Sequence, residues 1–302
     1  MNLLKRFQYD GSEKLSLKDW KTDDKVDFYD KNDSVEEIQK DIEKLRVMQS
    51  MLYAQDKHSV LIVFQAIDAA GKDSTISHVM SGINPQGCTV TSFKTPSDEE
   101  LGHDFLWRIN NHLPERGQIG IFNRSYYEEV LVTKVHPEFI LGEKIPGVDS
   151  LDAVSENFWQ KRYSDIRNYE KYLSRNGYTI IKFFLHLSKE EQRKRFLQRI
   201  EQKDKNWKFS EADMKERELW NDYQKAFEDA INHTATKRNP WYIIPADSKW
   251  FMRLAVSKII NERMNMLDLA YPEISKEKSE ELNKIKDLLL NENNNITIKN
   301  EK

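Results

Sequence analysis

The sequence has a single cysteine, Cys88, among its 302 residues. One cysteine cannot form an intramolecular disulfide, and it excludes a zinc site built from several cysteines. The sequence also lacks an apolar run of membrane-spanning length, and its first residues lack the apolar stretch of a signal peptide. These absences predict a cytoplasmic protein without a membrane among its partners.

An excess of charge of one sign is also missing, because 47 Lys and Arg residues face 50 Asp and Glu residues, giving a net charge of −3. We therefore expect no nucleic-acid partner, and a polyanionic ligand would need a local basic patch. The histidines show no metal-ligand spacing, and neither a Ser/His/Asp triad nor a G-x-S-x-G nucleophile elbow is visible. The sequence thus offers no support for a histidine-based metal site or a serine hydrolase.

The sequence does contain an alternation of strand-like and helix-like segments. The predicted strands cover residues 60–65, 89–93, 119–122, 179–187 and 241–245. The predicted helices cover about 35–55, 98–111, 151–175, 210–236 and 248–266, the first opened by a capping box of Ser34 and Glu37. This order predicts an α/β fold with a five-stranded parallel sheet and helices on both faces. We expect an N-terminal arm (1–35), a main domain (36–272) and a polar, partly disordered tail (273–302).

The first predicted strand leads into a candidate phosphate-binding loop. Small residues follow the apolar run 60–64, and Gly71 and Lys72 open a helical segment. Small residues let backbone N–H groups converge on one point, where the helix adds its positive dipole end and the lysine adds a charge. The usual pattern is G-x-x-x-x-G-K-[ST], but Ala66 replaces the first glycine and Asp73 follows the lysine. An ordinary βα turn with a solvated lysine remains the alternative.

Asp68 places a carboxylate within this loop, which is otherwise suited to anions. Its presence is explained if it holds Mg²⁺, because hard cations take oxygen ligands and bridge phosphates. The alternative is a carboxylate that caps the loop. The sequence therefore predicts Mg²⁺ as cofactor, with Asp68 as the metal ligand.

The third predicted strand ends in Asn123 and Arg124. P-loop enzymes often hold Mg²⁺ with an acidic residue at this strand end. Asn123 is a neutral and weaker oxygen ligand, so Asp68 has to supply more of the metal site. We expect Arg124 to point toward the loop, where an arginine that spans two phosphoryl groups stabilises transition-state charge. The alternative is an ion pair of Arg124 with Glu128 or Glu129.

A basic helix follows the fourth predicted strand. Arg195 and Arg199 lie four residues apart and share a face of this helix. Its place after a strand end suits a mobile helical lid, about residues 188–212, that excludes water and neutralises phosphates. The alternative is a solvated helix face on which Glu190, Glu191 and Glu201 balance the basic residues.

Together these motifs resemble the second family of polyphosphate kinases, along residues 45–271. The similar segments are D-A-A-G-K-D (68–73), M-S-G-I-N-P-Q-G (80–87), F-N-R-S-Y-Y-E (122–128), V-H-P-E (135–138), R-F-x-x-R (195–199), W-K-F-S (207–210) and A-D-S-K (246–249). The resemblance implies a P-loop kinase-like fold, similar to that of thymidylate and adenylate kinases. It also implies a phosphotransferase that moves phosphoryl groups between inorganic polyphosphate and nucleotides with Mg²⁺.

The resemblance implies a role for each matching residue. Lys72 would hold the polyphosphate end, Asp68 would position Mg²⁺ and the reacting phosphates, and Arg124 would bridge donor and acceptor; these three are the predicted catalytic residues. Arg195 and Arg199 would belong to the lid. The predicted phosphate-binding residues are Ala69, Ala70, Gly71, Lys72, Asp73 and Ser74, with Asn123 and Arg124 on the nucleotide side. The candidate walls of a polyphosphate channel are Arg116, Lys134, Arg193 and Lys194.

The implied reaction is reversible transfer of the terminal phosphoryl of polyphosphate to AMP and ADP, which yields ADP and ATP; guanine nucleotides are further candidate acceptors. Many members of the family carry Asp at the position of Asn123, and the Asn form resembles the subgroup that accepts nucleoside monophosphates as well as diphosphates. The resemblance also implies a homodimer or homotetramer, with helices 151–175 and 210–236 as candidate contact surfaces.

Two other functions remain open from the residues themselves. One is a nucleoside monophosphate kinase that uses ATP as donor, which Ala66 and Asp68 disfavour because they depart from the common ATP cradle. The other is a non-catalytic nucleotide or polyphosphate sensor. The joint presence of Asp68, Lys72 and Arg124 disfavours a sensor, since binding alone needs no transition-state arginine.

Overall fold

The computed structural model describes residues 3–25, 30–204 and 206–299, with side chains described except at position 208 and beyond residue 292. The chain divides into two compact units, Met1–Leu269 and Ala270–Lys302. The strands are β1 (Gln8–Tyr9), β2 (Ser59–Gln65), β3 (Cys88–Ser92), β4 (Ile119–Asn123), β5 (Tyr178–His186) and β6 (Trp241–Pro245). The α-helices are α1 (Leu3–Phe7), α2 (Lys31–Gln55), α3 (Lys72–Val79), α4 (Asp98–Leu101), α5 (Trp107–Asn110), α6 (Glu128–Val135), α7 (Glu156–Arg175), α8 (Lys189–Glu201), α9 (Glu211–Glu218), α10 (Trp220–Thr234), α11 (Lys249–Asn265) and α12 (Lys276–Lys299).

The strands of the first unit form one sheet in the order β1-β6-β5-β2-β4-β3. Neighbouring strands from β6 to β3 are parallel, and in the central strand Ile62 lies opposite Ile121 of β4 and Ile181 of β5. All seven residues of β2 are buried, as expected for a strand with parallel neighbours on both edges and helices on both faces. The predicted parallel sheet of an α/β fold is confirmed.

A sixth strand was not predicted. β1 is two residues long and pairs antiparallel with β6, at Gln8 opposite Tyr242 and Tyr9 opposite Trp241. The segment before it forms α1, in which Phe7 is buried against Phe251 of α11 at a ring-centroid distance of 5.9 Å. The predicted N-terminal arm therefore supplies an edge strand and core side chains, although its residues look polar and aperiodic along the sequence.

Helices cover both faces of the sheet, as predicted. α2, α3 and α11 pack on one face, whereas α6, α7 and α10 pack on the other. α2 begins at Lys31 because Asp30 is its N-cap and accepts hydrogen bonds from the N–H groups of Asn32 and Asp33. The predicted capping box at Ser34 is therefore wrong: Ser34 is buried within the helix.

Two predicted helices are each interrupted. The segment predicted as 98–111 forms α4 and α5, because Asp104 closes a turn between them and accepts a hydrogen bond from the Leu106 N–H at 2.9 Å. Ser97 caps α4 with Glu100 in a complete capping box. The segment predicted as 210–236 breaks at Leu219, between α9 and α10.

The second unit consists chiefly of α12, whose side chains are almost all exposed as far as residue 292. The predicted polar tail therefore carries a helical backbone; partial disorder in it stays a prediction, and residues 300–302 lie outside the described chain. No helix in the described part of the chain combines the length and the apolar character that crossing a membrane requires.

Candidate active site

The carboxyl ends of β2 to β6 lie at one edge of the sheet, and the predicted site residues follow them. In parallel α/β sheets this edge is where ligands bind. A cavity of about 540 Å³ lies here. The predicted residues that line it are Asp68, Ala69, Ala70, Gly71, Lys72, Asp73, Ser74, Asn123, Arg124, Arg195 and Arg199. The structure thus brings together every catalytic, phosphate-binding, lid and metal residue named from the sequence.

The loop between β2 and α3 has the geometry of a phosphate cradle. Gly71 is the N-cap of α3 with φ +101°, and Ala69 has φ +62°, a left-handed conformation that is unfavourable for a residue with a Cβ atom. α3 then points its first N–H groups at the cavity. Lys72 is 8% exposed, and its Nζ donates to the Ala66 carbonyl at 2.7 Å. The lysine is therefore bent back over the loop, unlike the solvated lysine of an ordinary βα turn.

Asp68 and Arg124 form an ion pair at the mouth of this loop. Nη2 of Arg124 donates to Oδ1 of Asp68 at 3.2 Å, and the two side chains are 42% and 36% exposed. Arg124 also has a left-handed backbone, φ +66°, and its N–H donates to the Phe64 carbonyl of β2. Strained residues of this kind concentrate at functional sites. The alternative pairing with Glu129 is not formed, since Glu129 pairs with Arg108 at 3.2 Å.

Glu128, which the sequence offered as the other alternative partner of Arg124, joins this cluster. Burial raises the pKa of Glu128, although Arg124 and Lys72 act to lower it. Burial also lowers the pKa of Lys72, whereas Asp68 and Glu128 oppose that change. For Arg124, burial acts to lower the pKa, but Glu128 and Asp68 outweigh burial and raise it. The site therefore holds two cations and two carboxyl groups, of which Lys72 is buried whereas Arg124 and Asp68 are partly exposed, so solvent weakens the interactions at the outer pair.

Asn123 lies at the end of β4 and contacts the phosphate loop. Its Nδ2 donates to Oδ1 of Asp73 at 2.7 Å, which ties the strand end to the first turn of α3. An aspartate at position 123 would instead place a second carboxylate beside Asp73. The residue at this position therefore decides whether one or two negative charges lie at this side of the loop.

The structure can accommodate the predicted magnesium ion at Asp68. One oxygen of Asp68 receives the bond from Arg124, and the carboxylate reaches the cavity surface. The described residues contain no cluster of three or more His, Cys, Asp or Glu side chains that could hold a metal. Mg²⁺ commonly binds through one or two carboxylates together with substrate phosphates, so a single aspartate beside a phosphate cradle suits this ion.

The two arginines of the predicted lid have different positions. Arg195 is 5% exposed and donates to backbone carbonyls of the phosphate loop, whereas Arg199 is half-buried at the cavity rim with its guanidinium 5.7 Å from the Phe196 ring centroid. On the outer face of the same helix, Arg193 is exposed and pairs with Glu190 at 2.8 Å. That part of α8 therefore matches the alternative of a solvated, charge-balanced face.

None of the four proposed channel walls, Arg116, Lys134, Arg193 and Lys194, is among the residues that line this cavity. Arg116 stacks on the Tyr178 ring at 5.4 Å, at the opposite edge of the sheet where β5 begins. Lys134 pairs with Asp229 of α10 at 2.8 Å. Lysines that sequence reasoning left without a role do line the cavity, namely Lys94 and Lys249. Both follow the ends of strands, β3 and β6, so the strand-end rule could have found them.

A second cavity, about 360 Å³, is also lined by Arg124, and its walls combine apolar side chains with four glutamates, Glu128, Glu129, Glu138 and Glu143. Its apolar lining residues are Phe93, Pro96, Leu101, Val132 and Phe139. Arg124 and Glu128 line this cavity, and both also line a third one, about 190 Å³, next to Ala66 and Tyr223. Arg124 therefore lines both the basic cavity and this partly apolar one.

Comparison with known proteins agrees with this geometry. The family model described as Polyphosphate kinase 2 matches residues 27–272. An ADP-polyphosphate phosphotransferase from Rhodopseudomonas palustris is 51% identical over 288 residues, which cover 95% of this chain and 98% of the relative. An AMP/ADP-polyphosphate phosphotransferase from Meiothermus ruber is 40% identical over 271 residues, or 89% and 96% of the two chains.

Solved structures lead to the same family. The crystal structure of polyphosphate kinase 2 from Arthrobacter aurescens TC1 matches with a TM-score of 0.83 and 31% identity, and the match covers 93% of this chain and 96% of that one. The predicted P-loop kinase-like fold and the predicted family are therefore confirmed. On the combined agreement of the family model, the relatives and the fold, the chain belongs to the polyphosphate kinase 2 family.

Proposed function

We propose that this protein transfers the terminal phosphoryl group of inorganic polyphosphate to AMP and to ADP, reversibly and with Mg²⁺. The observation that carries the proposal is that Arg124 lines both a basic cavity over the phosphate loop and a second, partly apolar cavity. A phosphoryl donor and a nucleotide acceptor need these two environments on either side of a shared cation.

The character of the first cavity favours polyphosphate over ATP as the donor. The cationic residues that line it are Lys72, Lys94, Arg124, Arg195, Arg199 and Lys249. Phe93 is the one aromatic residue among its described lining residues, and it also lines the second cavity. A polyanion without a base needs such a basic surface, whereas ATP would also need a platform for adenine.

The second cavity suits the nucleotide acceptor. Its apolar side chains can enclose the base and sugar, its glutamates can accept hydrogen bonds from them, and Arg124, which also lines the cavity, is the cation proposed to contact the acceptor phosphate. AMP and ADP are the proposed adenine acceptors, and guanine nucleotides are candidates that the same cavity could admit.

Positioning and charge stabilisation supply the chemistry of the proposed reaction. An oxygen of the acceptor phosphate attacks the terminal phosphorus of polyphosphate and forms the new P–O bond. The bond to the bridging oxygen breaks, and its electron pair leaves on the shortened polyphosphate. Lys72 and the loop N–H groups hold the donor, Arg124 spans donor and acceptor, and Asp68 orients Arg124. When bound, Mg²⁺ at Asp68 would neutralise phosphate charge.

Asn123 is proposed to permit the use of monophosphates. The R. palustris relative is named for ADP alone, whereas the M. ruber relative is named for AMP and ADP. Since Asn123 is neutral and bonded to Asp73, it adds no negative charge beside the incoming acceptor. Asn123→Asp should lower the ratio of AMP to ADP turnover. An unchanged ratio in the variant would remove the argument for this residue.

The experiment that tests the function measures ATP formation from AMP and from ADP with polyphosphate and Mg²⁺, against a control with ATP and AMP but no polyphosphate. ATP from both acceptors only with polyphosphate is the expected result. ATP from ADP alone would keep the polyphosphate donor and reject AMP. Turnover confined to the ATP-plus-AMP control would identify an ATP-dependent nucleotide kinase, and ligand binding without turnover would identify a sensor.

Cellular location and assembly remain predictions. A cytoplasmic location and a homodimer or homotetramer are carried forward from the sequence and the resemblance. The helices named as contact surfaces, now α7 and α10, pack on each other in the core. Tyr172 of α7 is 62% exposed, so part of that helix stays available for a second copy.

A further inference from the structure

Every N–H group of the Arg195 guanidinium donates a hydrogen bond to another part of the protein. Its Nη1 donates to the carbonyls of Ala69 at 3.1 Å and Ala70 at 2.8 Å. Its Nη2 donates to the carbonyls of Ala246 at 2.6 Å and Asp247 at 3.3 Å, just beyond β6. Its Nε donates to Glu191 at 2.9 Å. A guanidinium has five N–H donors, and these bonds engage all five.

The phosphate loop needs such a partner. A loop that points its N–H groups at an anion directs its carbonyls away from the cavity, and here those carbonyls face the protein interior. Ala69 and Ala70 are 9% and 1% exposed, so water cannot readily satisfy their carbonyl oxygens. Ala69 also keeps a left-handed backbone. Arg195 supplies donors to both carbonyls and so stabilises the conformation that the cradle requires.

The same helix holds a third loop carbonyl. Nε2 of Gln192, one turn before Arg195 on α8, donates to the Asp68 carbonyl at 3.0 Å. Gln192 is in turn held by Arg217 of α9, which donates to its Oε1 at 2.8 Å. Three successive carbonyls, 68 to 70, therefore accept hydrogen bonds from the first half of α8, whereas Arg199 in the second half lies at the cavity rim.

We propose that Arg195 is a positioning residue, which fastens the phosphate loop to the end of β6 and keeps its N–H groups aimed at the donor. The proposal rests on the function proposed above and replaces the lid role expected for Arg195. Polyphosphate contact on α8 is then left to Arg199. Lysine cannot replace Arg195, because one ammonium group cannot reach carbonyls on two separate segments in the planar pattern of a guanidinium.

The test compares Arg195→Lys with the matched variant Arg199→Lys, one turn further along the same helix. For Arg195→Lys we expect kcat to fall about 10²-fold, because a small displacement of positioning groups has costs of that order, while KM for polyphosphate changes little. For Arg199→Lys we expect mainly a higher KM. The dependence of polyphosphate KM on salt should stay as steep as in the wild type for Arg195→Lys, since no phosphate contact is lost, and become shallower for Arg199→Lys.

Hydrogen exchange in the absence of substrate provides a second readout. Peptides spanning residues 66–80 should exchange faster in Arg195→Lys than in the wild type. In Arg199→Lys the exchange rate of the same peptides should equal that of the wild type. If Arg195→Lys instead raises KM, flattens the salt dependence and leaves loop exchange unchanged, Arg195 binds polyphosphate and the proposal is wrong. Wild-type behaviour in both readouts would also overturn it.

A milder variant covers the case in which Arg195→Lys does not fold. Glu191→Gln weakens only the bond to Nε, so it should reproduce the faster loop exchange and the lower kcat to a smaller degree. If neither change occurs, the result counts against the positioning role of Arg195. Should the wild type fail to use polyphosphate at all, the proposed function is wrong, while loop exchange in the unliganded protein still decides the role of Arg195.

Discussion

Two buried lysines, Lys72 in the phosphate loop and Lys182 in the middle of β5, show how a charge with donors left for a ligand differs from one that the fold uses completely. Lys182 is fully buried, and its Nζ donates to Glu170 at 2.7 Å, to the Tyr127 hydroxyl at 3.1 Å and to the Thr234 carbonyl at 3.1 Å. An ammonium group has three donors, so Lys182 has none left for a ligand.

Lys72 is the opposite case. Among the described residues its Nζ makes one hydrogen bond, to the Ala66 carbonyl, although the side chain is also buried. Burial lowers the pKa of both lysines, and nearby carboxylates oppose that change in both. The degree of burial and the direction of the pKa shift therefore do not separate them. The number of donors left for a ligand does, and it supports the role proposed for Lys72 while Lys182 serves the fold.

The largest effect should come from the arginine beside Lys72. Arg124→Ala removes the cation proposed to span donor and acceptor, so kcat should fall by about 10³-fold or more, with a much smaller change in the Kd of tripolyphosphate. The measurement pairs steady-state kinetics with calorimetric titration. Arg193→Ala, which removes an exposed arginine paired with Glu190, is the control and should match the wild type. Equal losses in turnover and binding would favour a sensor.

Substitution of Lys72 itself tests the comparison directly. Lys72→Met keeps the length of the side chain but removes the unused donors, so we expect kcat/KM for polyphosphate to fall about 10²- to 10³-fold, the usual cost of removing one electrostatic donor. The melting temperature should not fall, because an incompletely paired buried charge contributes little stability. A variant that loses stability together with activity would show Lys72 to be structural as well.

The same substitution at Lys182 should have the reverse outcome. Lys182→Met leaves Glu170 buried without its cation, and unfolding free energy should drop by about 3–5 kcal/mol in urea denaturation. The double variant Lys182→Met with Glu170→Gln should recover part of that loss, since the stranded charge is gone. Folded Lys182→Met protein should keep kcat near that of the wild type. A large loss of kcat in the folded variant would mean that Lys182 serves the reaction.

Added salt should affect the basic cavity and the buried Lys182–Glu170 pair differently, although the difference should be smaller than that between the lysine variants. Raising ionic strength screens the contacts between polyphosphate and the cations of the basic cavity, so activity should decline steeply with salt. The Lys182–Glu170 pair is out of reach of solvent ions, and the melting temperature should change little over the same range. Activity that stays level across a wide range of salt would argue against a basic polyphosphate path.

The smallest effect concerns Glu129, a buried carboxyl group beside the apolar cavity. Burial and the charge of Glu143 raise its pKa to about 7, although Arg162 and Arg108 act to lower it. The folded protein then holds a proton that the unfolded chain releases above its ordinary pKa of 4.5, so stability contributed by this group falls as pH rises from 4.5 to about 7. In Glu129→Gln, the fall in melting temperature across that pH range should be a few degrees smaller than in the wild type. An unaltered pH profile in the variant would contradict this.

Much of the site could be predicted because its signals are local. Parallel strands bring their carboxyl ends to one edge, so residues that follow the strands meet whatever the rest of the chain does. Gly71 and Lys72 mark the start of α3, and Asp68 and Arg124 follow their strands, which is why these residues line one cavity. Lys94 and Lys249 follow strand ends as well and line the same cavity, but the rule predicts only their place at this edge and not a role for them.

The positions of individual arginines could not be predicted from such signals. Arg195 and Arg199 carry the same charge and lie four residues apart on one helix face. In the structure, however, the Arg195 guanidinium donates to backbone carbonyls, whereas Arg199 lies at the cavity rim. Arg116 precedes a strand and so lies at the opposite edge of the sheet, against Tyr178. Which donors remain available to a ligand depends on where distant carbonyls point, and that is a property of the folded backbone.

The sequence by itself determined the α/β class, the family, the phosphate loop and the residues that gather around it, because hydrophobic periodicity, small residues and strand ends act over a few neighbours. Only the tertiary structure decided that the N-terminal segment supplies an edge strand and that Asn123 contacts Asp73. It also decided that Lys72 makes one hydrogen bond within the described part of the chain, while Lys182 and Arg195 use all of their donors. These outcomes follow from long-range packing, which sets the partners of each polar group.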